Sequence, residues 1–312
     1  MPGLPPGYTP TQGEKFMAEL TGIAPQTVRQ QAFDIRPLPG AGAEITGLDL
    51  SQPLSTADFH RIHQAHLRYH VLVFRQQTLT PQQQIDFSRR FGPLQIHVLR
   101  QFLLTGYPEI LIVSNIMREG KPVGLGDAGK YWHSDLSYKE TPSLGSMLYA
   151  RILPETGGDT QFANMHRAWE TLPEALRQAV EGRRAVHSYT ATYSQPKFGD
   201  QWRPSLTEKQ LSEVKSVSHP IIRTHPETGR KALFVSEGFT THIEGIPEDE
   251  SREILQALYH HSVREENIYT HRWQPDDLLF WDNRSLIHLA TGCPADCPRQ
   301  LYRTTIQGDI PF

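Results

Sequence analysis

The sequence predicts a mostly β fold with helical cover (α+β), its core a double-stranded β-helix, or jelly roll. Two observations lead there. Short apolar or β-branched runs of strand length recur along the chain, each closed by turn residues. Helix start signals are few and stand between those runs, as expected when a double-sheet barrel carries helices on its outside. A chain of 312 residues, 38% apolar and 21% charged, can bury such a core as one unit.

In chain order, residues 1–32 are rich in Pro, Gly and Gln and predict a poorly ordered arm, with room for a short helix inside Glu14–Leu20. Residues 33–312 predict a single domain, because no linker, repeat or low-complexity tract interrupts them. Thr80 can cap a helix with Pro81 at its first position and Gln83 closing a capping box; Ile85 and Phe91 fall on its buried side, and Gly92-Pro93 ends it. Leu111–Val113 and Met147–Tyr149 read as strands. Thr171 and Glu174 suggest a second capping box ahead of the stripe Leu172, Ala175, Leu176, Ala179, Val180. Ile221-Ile222 and Ala232–Val235 read as strands, Ile254, Leu255, Leu258 and Tyr259 as a third helix, and Leu278–Trp281 and Tyr302–Ile306 as two more strands.

Net charge is −3 and the isoelectric point about 6.6, so nothing in the balance favours a nucleic-acid or membrane-surface partner. No apolar run approaches the roughly 20 residues that cross a bilayer. The first residues lack the apolar centre of a signal peptide, and Cys293 and Cys297 are too few for a disulfide framework. The expected setting is cytoplasmic.

Among 15 histidines, the segment Tyr131-Trp132-His133-Ser134-Asp135-Leu136 offers the best metal donors. On a strand, residues two apart share a face, so His133 and Asp135 can present an imidazole and a carboxylate to one ion. Alone, His-x-Asp is a weak signal, and its bland reading is a surface strand with two polar residues. His225-Pro226-Glu227 has similar spacing, but Pro226 places it in a turn; His242-Ile243-Glu244 reads as solvated, and His260-His261 as ordinary late-helix residues. Farther on, an apolar run ends in Asp282-Asn283-Arg284-Ser285 and is followed by His288. Two histidines and one carboxylate on one face leave three positions open, the facial arrangement of non-haem iron(II) oxygenases. Arg299 and Arg303 follow; a planar guanidinium suits the far carboxylate of a keto-acid cosubstrate, although an isolated arginine is more often solvated.

Seven separated blocks carry a resemblance: TGLDLSQPL, FRQQTLTPQQQ with RFGPL, WHSDLSY, LPETGGDTQFAN, RTHPETGRKALFVSEGFTTHI, HRWQPDDLLFWDNRSLIH and YRTTIQGDIPF. From about Phe33 to Phe312 the chain resembles the taurine dioxygenase (TauD/TfdA) family of iron(II)/2-oxoglutarate oxygenases. The resemblance implies iron(II) on His133, Asp135 and His288, with 2-oxoglutarate and O₂ as cosubstrates. It places Thr160 and Arg299 on the far carboxylate of 2-oxoglutarate. His97, Arg303 and Leu136 fall at the primary substrate, with Arg100 and Tyr193 as further candidates. It also implies a small anionic substrate and a homo-oligomer, dimer or tetramer.

The match to taurine enzymes is incomplete. Residues 115–130 are longer and more basic than their loop, Arg100 stands where a tyrosine lines their pocket, and a pocket asparagine has no counterpart. An organosulfonate such as taurine, with release of sulfite, is the leading expectation. An aryloxyalkanoate, an alkyl sulfate or another small carboxylate is the alternative. A metal-dependent hydrolase or binding protein on the same barrel is the alternative of another class; it predicts no 2-oxoglutarate binding.

Overall fold

The computed structural model describes residues 28, 30–126, 128–193 and 206–312; the arm and the helix inside Glu14–Leu20 fall almost wholly outside them. The architecture is mixed α+β, with many strands and fewer helices. An eight-stranded sheet runs in the order Asp34–Pro37, Ala43–Thr46, Val71–Phe74, Leu278–Asp282, Ser143–Ile152, Gln300–Gln307, Tyr107–Ser114 and Leu103–Leu104. Its neighbours pair antiparallel except Ala43–Thr46 with Val71–Phe74. A three-stranded sheet, Ile268–His271, Thr160–Asn164 and Leu286–Ala290, supplies the other wall of the site. A second three-stranded sheet joins Val217–Pro220, Arg184–His187 and Thr240–Ile243.

Side chains alternate across a strand, and here that alternation sorts the core. Val71, Val73, Leu279 and Trp281 enter the apolar cluster shared with Phe162, Tyr269 and Leu286 of the smaller sheet. Their neighbours Leu72, Phe74, Leu278 and Phe280 point the other way, into the cluster that holds Ile62 and Ala65 of the helix Thr56–Tyr69 and Phe87 of the helix Pro81–Arg89. On the outer face of the smaller sheet, Ala163 and Ile287 pack with Leu255 and Leu258 of the helix Glu248–Ser262. The large sheet is therefore buried on both faces, which explains why Val71–Phe74 and Leu278–Asp282 read as continuous apolar runs rather than alternating ones.

The Thr80 capping box forms as expected, Thr80 Oγ1 accepting from the Gln83 amide and the Gln83 side chain accepting from the Thr80 amide. The Thr171/Glu174 box does not. Thr171 caps the C-terminal end of the helix Met165–Glu170 and its hydroxyl donates back to the Arg167 carbonyl, so the next helix, Glu174–Val180, starts after Pro173 without a side-chain cap. Ile221, Phe234 and Val235 lie just outside the strands Ile222–Thr224 and Lys231–Leu233. The sequence reading misses the helix Thr56–Tyr69 because Asp58 and His66 occupy part of its buried face and break the apolar stripe. His66 stacks on Phe280 with ring centroids 3.9 Å apart.

No helix among the described residues is long and apolar enough to cross a membrane.

Candidate active site

His133 does not sit in a regular strand. It forms a single antiparallel bridge with His288, each amide donating to the other's carbonyl at 3.1 and 2.8 Å, after which the chain turns. Asp135 lies in that turn, so the face shared with His133 comes from a bridge and a bend rather than from pleating. The bridge ties His133 to the strand Leu286–Ala290 and brings the two imidazoles to a centroid distance of 4.1 Å. One donor atom from each of His133, Asp135 and His288 lies within 4.8 Å of the others. His133 Nε2 is 3.6 Å from Asp135 Oδ1, and His288 Nε2 is 3.9 Å from Asp135 Oδ2.

These residues fit a metal by their donor chemistry. His133 Nδ1 lies 2.8 Å from the Tyr131 carbonyl and 3.0 Å from that of His288, so it carries the proton and leaves the Nε2 lone pair toward the centre. Burial pushes the His288 imidazole well below its ordinary range, and His133 beside it adds to the effect. It is the neutral ring that ligates. Burial alone would raise the Asp135 carboxyl, but Arg303, His288 and His133 hold it well below the usual carboxylate range. The two carboxylate oxygens are held separately: Ser146 Oγ donates to Oδ2 at 2.6 Å and Arg303 to Oδ1 at 3.2 Å. Asn283 joins the ligand turn to the connection between Leu278–Asp282 and Leu286–Ala290, strands of different sheets. Its Oδ1 accepts from the Asp135 amide and from Trp281 Nε1, its Nδ2 donates to Ser143 Oγ, and its carbonyl accepts from Ser134 Oγ.

Behind that connection lies a second polar network. Asp282, fully buried, accepts from Arg284 and lies 3.0 Å from His225 Nε2, and Arg284 continues to Glu227. His225 immediately precedes the expected turn at 226–228 and is buried.

A deeper pocket beside the metal donors is lined by Asn115, Leu125, Ala128, Ala290, Cys293 and Arg299. The Arg299 guanidinium is buried, donates to the Gly158 carbonyl at 3.1 Å, and makes no ion pair among the described residues. Burial holds it down to about 10. A desolvated cation without a carboxylate is a site prepared for an anion. Gly158 is required here: its φ is +78° and a Cβ would stand 3.1 Å from Arg299 Nε. Thr160 lies directly across the ladder from Ala290, so the two side chains share a face, the one that also carries His288 and Phe162.

On the other side of the donors, Leu125, Tyr131, Leu136, Tyr138, Tyr189, Tyr193 and Phe239 form a largely aromatic pocket into which His97 and Arg303 also face. Tyr138 and Phe239 meet at 4.9 Å and Tyr189 and Tyr193 at 4.6 Å between ring centroids. Leu136 adopts φ 58°, a left-handed conformation that a leucine holds only where its surroundings impose it. The structure thus gathers His133, Asp135, His288, His97, Arg303, Leu136 and Tyr193 around one pocket, with Arg299 in the neighbouring pocket and Thr160 across the ladder from its lining residue Ala290. Arg100 is not among them. It opens a short 3₁₀ turn that buries Leu99 and Phe102 and turns the arginine to solvent.

Sequence reasoning misses Phe239, Asn115, Ser146 and Asn283. Tyr189 and Tyr193 are the residues the sequence offers for the aromatic wall. Asn283 and Ser146 lie close to the ligands in sequence, but a single polar side chain carries no pattern to read, and Phe239 and Asn115 come from other segments.

Two imidazoles and a carboxylate gathered within coordinating reach, and a buried guanidinium that makes no ion pair among the described residues, fit a mononuclear metal enzyme with an anionic cosubstrate. The family model described as "Taurine catabolism dioxygenase TauD, TfdA family" matches residues 34–305. An alpha-ketoglutarate-dependent 2,4-dichlorophenoxyacetate dioxygenase of Cupriavidus pinatubonensis is 36% identical, over 89% of this chain and 98% of the relative. A (S)-phenoxypropionate/alpha-ketoglutarate-dioxygenase of Sphingobium herbicidovorans is 35% identical, over 89% and 96%. The crystal structure of a taurine dioxygenase from Burkholderia xenovorans superposes with a TM-score of 0.74 at 34% identity, covering 89% of this chain and 90% of that one. The chain belongs to the TauD/TfdA family. It is an iron(II)- and 2-oxoglutarate-dependent dioxygenase with O₂ as its second cosubstrate.

Proposed function

We propose that the enzyme hydroxylates a small anion with an apolar body, an aryloxyalkanoate or alkyl sulfate in type, on a double-stranded β-helix spanning residues 33–312. The observation that carries this reading is the aromatic wall of Tyr138, Tyr189, Tyr193 and Phe239 facing the Arg303 guanidinium and the His97 imidazole across one pocket. Aromatic side chains favour an aryl or alkyl group, while Arg303 and His97 favour an anionic head. Relatives named for 2,4-dichlorophenoxyacetate, phenoxypropionate and sulfate esters are consistent with it.

His133, Asp135 and His288 would hold iron(II), which when bound supplies the activation of O₂ coupled to oxidation of 2-oxoglutarate. Arg299 and Thr160 hold the far carboxylate of that cosubstrate, as charge-assisted donors in a buried pocket. Arg303 and His97 orient the substrate anion so that a chosen C–H faces the metal, and the aromatic wall excludes water around it. Ser146 and Asn283 keep Asp135 from rotating.

A sulfonate such as taurine is the second reading, favoured by the same Arg303 and His97 with no demand on the aromatic wall. Parallel assays for phenol release from a phenoxyacetate and sulfite release from taurine, each with iron(II), ascorbate and 2-oxoglutarate, separate the two. Phenol without sulfite supports the first reading; sulfite without phenol replaces it with the second.

A further inference from the structure

We infer that Trp273 is a positioning residue for 2-oxoglutarate, acting through the Thr160 hydroxyl; the inference rests on the reading of Thr160 as a ligand of the far carboxylate. Trp273 Nε1 lies 3.1 Å from Thr160 Oγ1. An indole N–H can only donate, so this contact makes Oγ1 the acceptor and leaves the hydroxyl hydrogen to point elsewhere. Among the described residues no acceptor takes that hydrogen, and Thr160 is 3% exposed. A buried hydroxyl whose donor end is unused, on the strand face shared with His288 and Ala290, is set to give its hydrogen to an incoming carboxylate.

Trp273 itself is held in place. His271 packs edge-on against it at 4.7 Å between ring centroids, with an interplanar angle of 84°. His271 Nε2 is 3.3 Å from Asp277, which Arg75 anchors at 2.6 Å. Without the indole N–H the Thr160 hydroxyl could turn its hydrogen away from the cosubstrate and accept from a water instead.

The test measures equilibrium binding without turnover: calorimetric titration of the manganese(II)-loaded, oxygen-free protein with 2-oxoglutarate and with 2-oxopentanoate, which lacks the far carboxylate. Trp273→Phe should weaken 2-oxoglutarate binding by about three- to tenfold, the size of one lost hydrogen bond. Binding of 2-oxopentanoate should be unchanged. Thr160→Val should weaken 2-oxoglutarate to a similar or larger extent, and adding Trp273→Phe to it should have no further effect. An unchanged affinity in Trp273→Phe alongside a loss in Thr160→Val overturns the inference and keeps the Thr160 reading. No loss in Thr160→Val overturns the Thr160 reading itself. An equal loss for both keto acids in Trp273→Phe, as general loosening of the pocket would give, also overturns the inference, and this comparison holds even if the variant is less stable.

Discussion

The two sides of the metal centre are built on opposite principles. On the ligand side, the Asp135 turn is tied into the body of the fold by directional bonds: Ser146 and Arg303 on the carboxylate, Asn283 on its amide, and the Asp282–Arg284 ion pair behind Asn283. On the other side, five rings and Leu136 line a pocket shaped largely by aromatic surface, beside His97 and Arg303. A hydrogen-bonded cage tolerates little change, because a buried donor or acceptor left alone loses its full solvation. An apolar wall tolerates substitution at a modest loss of contact. The metal donors are thus held by directional bonds while the neighbouring pocket is shaped by rings, with Arg303 common to both; relatives at similar identity are named for 2,4-dichlorophenoxyacetate and taurine.

That contrast can be broken or sharpened by substitution. The largest effect belongs to Asp135→Ala, which should remove detectable hydroxylation and iron binding while the chain still folds; retained activity would dissolve the distinction. Arg299→Ala should come next, with about 2–5 kcal/mol lost from 2-oxoglutarate binding and little change for the primary substrate, read as separate KM values. Ser146→Ala should lower iron affinity by about 10–100-fold without altering substrate preference. Phe239→Ala, on the other side, should raise KM for an aryl substrate about tenfold and leave iron and 2-oxoglutarate binding alone.

The smallest effect is on stability. His187, buried against Phe234, is pushed down to about 3 from 6.5 by burial, with His219 adding to it. A histidine held neutral in the fold favours the folded state fully above its unfolded value and loses that contribution as pH falls from 6.5 toward 3. His187→Phe should therefore flatten the decline of melting temperature below pH 6.5, in a thermal-unfolding series at stepped pH.

The same contrast decides what could be read from the chain beforehand. Leu278–Asp282 announces itself as a strand because burial on a sheet writes an apolar run, and Gln300–Gln307 through its β-branched Thr304-Thr305-Ile306. His133, Asp135 and His288 are legible because ligands of one ion need specific residue types, although the geometry joining them is a bridge and a turn rather than the strand the spacing suggests. Arg299 and Arg303 needed the family likeness to stand out from solvated arginines. Phe239 and Ser146 could not be found, since nothing local marks a ring that reaches the site from another segment or a lone serine eleven residues beyond Asp135. The Thr56–Tyr69 helix stayed hidden for a related reason, its inner face being partly polar.

The most direct measurement is an anaerobic iron(II) titration of the wild-type chain and of His288→Ala, followed by 2-oxoglutarate and its visible charge-transfer absorption. One iron per wild-type chain, with the band appearing on addition of the keto acid and absent from the variant, is the predicted result. Tight one-to-one iron binding and an undiminished band in His288→Ala would place the metal elsewhere and contradict the account.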